Sequence, residues 1–311
     1  MISDRIKAMK KRTLIDSLPV MAAARLATVL RPRPGRKKYT AVLTADLHTD
    51  ADPYRDRTDI LRRAFAGVTK KFGRVNAFVM AGDMTNCGDE KEYRLLQKLT
   101  RRYLRAALIV PAFGNHDAWH HSDHPNYEIA WRLFRDCCAD FGHKVTENYY
   151  ACADGYCNFI VLGTERTMHN CTFLSDKQLQ WLEAELRRCV KERKTILVIN
   201  HQCLRNRNGG DDGWEEEGQA AASDRIDALL TEYAGKAKSR VIFVSGHKHA
   251  LNGNCVERAG ENLIHLNLPS FEYGNGKTEE HRGAAAVLEI TGRKNANLYF
   301  YDFIRQEKIS L

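Results

Sequence analysis

From residue 39 onward, short apolar runs alternate with longer stretches of helical period. The runs at 39–45, 75–81, 107–112, 158–163, 195–200 and 240–245 are rich in Val, Ile, Leu and Phe. Their length and their lack of polar alternation predict strands buried on both faces. Between them, Leu61, Phe65, Val68 and Phe72 form a helical stripe that stops at Gly73, a C-terminal cap. Leu96, Leu99 and Tyr103 mark a second helix with a basic outer face. Ser175-Asp176-Lys177-Gln178 reads as a capping box opening a third, with Leu179, Leu182, Leu186 and Val190 turned inward. Ser223 is placed to cap a fourth, which carries Ile226, Leu229, Leu230 and Tyr233.

This order predicts an α/β domain with mostly parallel strands. Three further runs, at 262–268, 284–290 and 296–303, have no clear helix between them. They are expected as an antiparallel addition or as a second sheet. The segment 206–218, rich in Gly and charge, is long for a loop in a compact domain, so it is expected to be functional or mobile. The 311 residues suffice for a large core, and 43% hydrophobic with 28% charged residues exclude a wholly disordered, collagen-like or multi-span membrane chain.

Charge changes the picture in one place. The net charge is +9, but residues 1–38 hold 11 Lys/Arg against 2 Asp/Glu, and residues 39–311 hold 37 of each. The basic excess belongs to an N-terminal arm, and the electrically balanced body argues against nucleic acid as an obligatory substrate. The arm places an apolar stretch, 14–30, after Lys7, Lys10, Lys11 and Arg12, then closes with Arg31-Pro32-Arg33-Pro34-Gly35-Arg36-Lys37-Lys38. Asp16 and Arg25 interrupt the stretch, which disfavours both an export signal and a membrane span. Leu14, Leu18, Met21 and Val29 fall near one helical face. Three readings stay open: a helix docked on the body or partly disordered, a peripheral membrane or protein-binding element, and, last, a cleaved export signal. The 9 cysteines are odd in number and include no CxxC pair, so neither a disulfide framework nor a zinc ribbon is signalled. Buried thiols in a reducing compartment, the cytoplasm, are expected.

The chemistry gathers where the strands end. Asp46-Leu47-His48 follows the first run, Gly82-Asp83 the second, Gly114-Asn115-His116-Asp117 the third, His201 the fifth and Gly246-His247-Lys248-His249 the sixth. Ligands of open α/β sheets bind at the carboxyl ends of strands, so these side chains are expected on one rim. Asp, His and an Asn amide without Cys make an oxygen and nitrogen donor set suited to Mn, Fe, Zn, Co or Ni. In an extended segment, residues two apart share a side, which would pair Asp46 with His48 and His247 with His249. Asp46, His48, Asp83, Asn115, His201, His247 and His249 are too many donors for one ion, and two ions about 3.5–4 Å apart sharing a carboxylate fit better. The glycines at 82, 114 and 246 are expected to allow the turns that aim the next side chain inward.

The ordered set DxH, GD, GNHD, H, GHxH, spanning residues 46–249, resembles the calcineurin-like metallophosphoesterases. The resemblance implies a four-layer α/β/β/α sandwich of two mixed sheets flanked by helices, with the closing strands in the second sheet. It further implies one metal on Asp46, His48 and His249, another on Asn115, His201 and His247, and Asp83 bridging them. A metal-bridging hydroxide would attack phosphorus in line. His116 would act as general acid, oriented by Asp117, with Asn115 and His116 on the phosphoryl oxygens. The fourth block departs from the usual form: His201-Gln202-Cys203 lacks the proline that often follows, a difference expected to touch loop shape and pocket lining only. The stretch from 173 to 201 is most similar to the cyclic-nucleotide phosphodiesterase and purple-acid-phosphatase-like subgroup. No tyrosine follows Asp83, however, where purple acid phosphatases would carry a ligand.

The implied activity is hydrolysis of a phosphomonoester or phosphodiester, a cyclic nucleotide or other small molecule first among the substrates. The alternatives are a phosphoprotein phosphatase and a non-catalytic interaction module on the same fold. Arg205 and Arg207, just past His201, are candidate substrate clamps; the opposing reading balances them against Glu215, Glu216 and Glu217. His120, His121 and His124 are candidates for the substrate mouth, as are His169 and Asn170. Cys87, His143, His265 and His281 read as packing or surface residues.

Overall fold

β1 (Tyr39–Thr44) is buried along its whole length and lies inside a six-stranded sheet. In the computed structural model the described residues are 38–52, 56–119, 126–210, 213–272, 281–291 and 295–311. The basic arm, apart from Lys38, and His120, His121 and His124 lie outside them. After β1 come α1 (Arg57–Phe72), β2 (Val75–Met80), α2 (Glu90–Tyr103) and β3 (Ala106–Pro111). The three strands pair in parallel, Val42 opposite Phe78 and Phe78 opposite Ile109. Helix α1 ends as its sequence predicts: Gly73 has φ 69°, and its N–H bonds the Thr69 carbonyl. Helix α2 opens on a capping box in which Asp89 accepts from the Lys91 N–H and Glu92 reaches back to the Asp89 N–H.

The chain continues through α3 (Asn115–Ala118), α4 (Tyr127–Asp140), β4 (Tyr150–Ala153), β5 (Cys157–Val161), α5 (Asp176–Cys189), β6 (Thr195–Ile199), α6 (Gln219–Lys236) and β7 (Val241–Ser245). It closes with β8 (Val256–Ala259), β9 (Leu263–Asn267), β10 (Ala284–Thr291), β11 (Asn295–Asp302) and β12 (Glu307–Ile309). The first sheet has the order β12-β11-β10-β1-β2-β3 and the second β4-β5-β6-β7-β9-β8. Both are mixed. β10 lies antiparallel to β1, while β5, β6, β7 and β9 are parallel with antiparallel β4 and β8 at the edges.

Side-chain alternation in the second sheet separates two cores. Phe159, Val161, Leu197, Ile199, Ile242 and Val244 join the large core shared with the first sheet. Ile160, Val198 and Phe243 point the other way, into a second core with Leu179, Leu182 and Leu186 of α5 and Ile226 and Leu230 of α6. Phe65 of α1 packs edge-on against Phe78 of β2, ring centroids 5.7 Å apart and both side chains fully buried. Truncating either to Ala would cost about 3–5 kcal/mol. The layers are therefore helix, sheet, sheet, helix, the expected α/β/β/α sandwich.

Three expectations need correction. The closing strands do not all enter the second sheet: β9 does, beside β7, but β10 and β11 extend the first sheet from β1. β10 is buried from Ala284 to Ile290, and a strand apolar on both faces does not encode its neighbour. Ser223 does not cap α6, which begins four residues earlier behind Gly218 in a left-handed conformation (φ 78°); the Ser223 hydroxyl accepts from the Arg205 N–H instead, at 3.1 Å. Ser175 does cap α5 through the Gln178 N–H, but the Gln178 amide is spent on both backbone groups of Gly163, so the box is half made. Helix α4, capped by Asn126 on the Ile129 N–H, has no counterpart in the apolar runs of the sequence reading. None of the nine cysteines, all of them among the described residues, forms a disulfide. Among the described residues no helix is long and apolar enough to cross a membrane.

Candidate metal centre

The loops that leave β1, β2, β3, β6 and β7 meet at one rim and are laced together by their backbones. The Asp46 N–H bonds the Gly82 carbonyl (3.1 Å), the His48 N–H that of Asp83 (3.0 Å), and the Gly246 N–H that of His201 (2.8 Å). Five residues here lie in the left-handed region without being glycine: Asp46 (φ 53°), His48 (38°), Asp83 (48°), His247 (73°) and His249 (45°). Each such conformation costs on the order of 1 kcal/mol or more and persists only where the surroundings impose it. Asp46 and His48 are thus brought together by left-handed turns, not by extended alternation, whereas the expected pairing of His247 with His249 is not made: His249 joins Asp46 and His48, and His247 joins Asp83 and His201. Two of the preceding glycines act by close approach rather than by turning. A Cβ on Gly114 would sit 2.2 Å from Asp83 Oδ1, and one on Gly246 would sit 2.4 Å from Ala45 Cβ. Only Gly82, at φ 88°, supplies a turn.

The donors converge in overlapping groups. Ligand atoms of Asp46, His48 and His249 lie within 4.8 Å of one another, as do those of Asp83, His201 and His247, and of His48, Asp83 and His116. His249 Nε2 stands 3.0 Å from both Asp46 Oδ1 and His48 Nε2, and His201 Nε2 stands 2.9 Å from Asp83 Oδ2. Asp46, Asp83 and His201 are essentially inaccessible to solvent. Burial alone would raise both carboxyls, but His249 and His201 beside Asp46, and His201 and His116 beside Asp83, hold them below the usual range. Burial lowers His48 to about 3, so it is neutral and ready to coordinate. His201 resists its burial because Asp83 and Asp46 raise it to about 10.

This donor set fits cations. Two imidazole nitrogens face each other at 3.0 Å, and His201 Nε2 is buried without a geometrically sound hydrogen bond although Asp83 is near. Groups so placed are satisfied by an ion between them. Asn115 is buried beside them, and the next N–H, that of His116, bonds Asp83 Oδ1 at 2.9 Å.

His116 and Asp117 are not partners. His116 Nδ1 meets the backbone carbonyl of Asn86 at 2.6 Å. Asp117 turns into the protein, where it accepts from the N–H groups of Gly114, Met84 and Thr85 and from the Thr85 hydroxyl. Successive positions on a helical turn diverge by about 100°, which is why neighbours in sequence part here. Burial, then the nearby Asp83 charge, push the Asp117 carboxyl up to about 6, still ionised at neutral pH. Its role is to pin the third block to the second. Sequence reading missed Asn86, whose contribution is a carbonyl every residue has. It also missed Arg57, which donates to Asn86 Oδ1 at 2.6 Å.

The arginine clamps are not upheld. Arg205 is bidentate with Asp224 (2.7 and 2.8 Å), and Arg207 is held by Asp227 and Glu257. Both guanidinium groups are committed to the protein, and to acids other than Glu215, Glu216 and Glu217. His169 does reach the rim: its carbonyl accepts from Asn115 Nδ2 at 2.7 Å. His143 bonds the Ile109 carbonyl, a packing role.

Comparison with known proteins speaks to the fold and to the family. A glycerophosphodiester phosphodiesterase of Enterobacter lignolyticus is 25% identical over 131 residues, covering 42% of this chain and 43% of that protein, so the match spans less than half of the relative. A dimetal phosphatase from Danio rerio superposes with a TM-score of 0.56 at 16% identity, over 84% of this chain and 98% of that one. Purple acid phosphatase from yellow lupin (Lupinus luteus) seeds superposes at 0.63 and 12% identity, over 88% of this chain and 53% of that one. At such identities these structures speak for the fold. The calcineurin-like phosphoesterase pattern matches residues 39–251, from the first residue of β1 to just past His249. The chain therefore belongs to the calcineurin-like phosphoesterases, a family of metal-dependent phosphoric ester hydrolases.

Proposed function

We propose that this chain hydrolyses a small-molecule phosphodiester or phosphomonoester with two metal ions, Mn, Fe or Zn. The observation that carries the reading is the overlap of the donor groups, with Asp83 common to two of them. Asp46, His48 and His249 would hold one ion, Asn115, His201 and His247 the other, and Asp83 would face both. When bound, two such cations lower the pKa of water and draw charge from phosphoryl oxygens. The chain's own residues do the rest. The Asn86 carbonyl accepts from His116 Nδ1–H and orients the ring; with a second proton on Nε2, the imidazolium would pass that proton to the leaving oxygen as general acid and be left neutral. Its neighbour Asn115 faces the same rim and would contact phosphoryl oxygens together with His116. A diester is favoured over a protein substrate by the partial likeness to a glycerophosphodiester phosphodiesterase.

The test is hydrolysis of bis(p-nitrophenyl) phosphate and p-nitrophenyl phosphate after loading with Mn, Fe or Zn. Asp83→Asn and His201→Ala are expected to abolish turnover in folded protein. Unchanged rates in both variants would overturn the reading, and a chain that binds no metal would be an interaction module instead. For residues 1–38 we propose docking to anionic membrane or to a protein partner in the cytoplasm. The reading is supported by their +9 charge and by a family match that begins only at residue 39. Binding to phosphatidylserine vesicles should fall with salt and vanish when those residues are deleted; equal binding by both forms would remove it.

A further inference from the structure

We infer that Gln202 is a positioning residue that sets the amide oxygen of Asn115 for metal binding. The inference rests on the reading of Asn115 as a ligand. Gln202 directly follows His201 and is 2% exposed. Its Nε2 donates to Asn115 Oδ1 at 3.1 Å and lies 3.3 and 3.4 Å from the carbonyls of Asn170 and Cys171. The Asn200 amide fixes it from below by donating to the Gln202 carbonyl at 2.8 Å. On the other side, Asn115 Nδ2 donates to the His169 carbonyl at 2.7 Å.

These contacts decide which way the Asn115 amide faces. A flip would set its NH2 against the NH2 of Gln202 and its oxygen against the His169 carbonyl, replacing two hydrogen bonds by two repulsions. With one lone pair of Oδ1 taken by Gln202, the other is left for the ion. The same Gln202 group gathers the 170–171 backbone, and Thr167 adds a bond from its hydroxyl to the Ala118 carbonyl (3.2 Å). One buried amide therefore couples the His201 loop, helix α3 and the loop after β5. The departure of His201-Gln202-Cys203 from the usual block thus reaches a proposed ligand, beyond loop shape alone.

The experiment measures metal affinity by chelator competition with Zn2+ and with Mn2+, alongside thermal unfolding, for wild type, Gln202→Met, Gln202→Glu and Asn115→Ala. Gln202→Met keeps the shape and removes the donor. Gln202→Glu sets a carboxylate against three oxygens. Partners of metal ligands typically change affinity about 10–100-fold, so one of the two equivalents should weaken by that factor in Gln202→Met and further in Gln202→Glu, the other staying put. Lower thermal stability with both equivalents at wild-type affinity would reduce Gln202 to a structural residue and overturn the inference. If Asn115→Ala also leaves both equivalents unchanged, the ligand reading itself fails. Loss in Asn115→Ala without loss in either Gln202 variant defeats only the positioning role.

Discussion

The Nδ1 atom of His116 lies 2.6 Å from the backbone carbonyl oxygen of Asn86, and this contact fixes the imidazole without a carboxylate. A carbonyl partner accepts from Nδ1–H and so sets the direction in which Nε2 faces. Replacing His116 by Asn should lower kcat by about 10²–10⁴-fold for an alkyl phosphoester, whose leaving oxygen needs a proton. The loss should be much smaller for a p-nitrophenyl ester, whose leaving group does not. Equal losses on the two substrates, measured side by side, would refute the general-acid role.

Asp117 answers to a different measurement. Its buried carboxylate accepts from three N–H groups and two hydroxyls, those of Thr85 and Tyr93, and an Asn there would turn an NH2 toward donors. Asp117→Asn should destabilise the fold by about 2–3 kcal/mol, read by urea unfolding. The folded fraction should retain the wild-type preference between the two leaving groups. A stable variant with an altered preference would return Asp117 to the catalytic set.

Glu92 carries a pH dependence remote from the ligands. Burial pushes its carboxyl from an ordinary 4.5 up to about 7 while it caps α2. A group whose pKa is raised on folding contributes stability that is full below its unfolded value and is lost as pH climbs through the folded one. The window runs from about pH 4.5 to about pH 7, and the shift is worth about 3 kcal/mol. Glu92→Gln keeps the acceptor oxygen and does not titrate. The stability difference, wild type minus variant, should therefore fall across this window. A difference flat in pH would show that the carboxyl titrates normally.

Arg207 and Arg205 separate by burial. Arg207, side chain 25% exposed, bridges Asp227 and Glu257, whereas Arg205 pairs with Asp224 at 42% exposure. Arg207→Ala should cost about 1–2 kcal/mol, and Arg205→Ala clearly less, its ion pair being screened by solvent. KM for a small phosphodiester should stay within about twofold in both. A tenfold rise in KM would reinstate them as substrate clamps.

What could be read from sequence divides by the kind of atom involved. Asp46, His48, Asp83, His201, His247 and His249 act through side chains with few other uses at strand ends, and their order along the chain exposed the rim. Asn86 acts through a carbonyl, Gln202 through an amide whose meaning depends on Asn115 across the fold, and neither leaves a local signature. Arg207 misled because its acids, Asp227 and Glu257, lie 20 and 50 positions away, while three glutamates stood closer in sequence. β10 was legible as a strand but not as the partner of β1, since a run buried on both faces fits beside any strand.

That partnership has a consequence for the order of assembly in the cell. The Phe271 N–H bonds the Ala45 carbonyl at 3.0 Å, and the Ser270 hydroxyl bonds the Asp46 carbonyl at 2.9 Å. β10 then covers the free edge of β1. Asp46 is made early, yet the backbone that aims it is completed only by residues made more than two hundred positions later. During synthesis the nascent chain carries most of the donors before it can present them together. A competent rim thus waits on the chain around residues 270 and 271, however early its first donors are made.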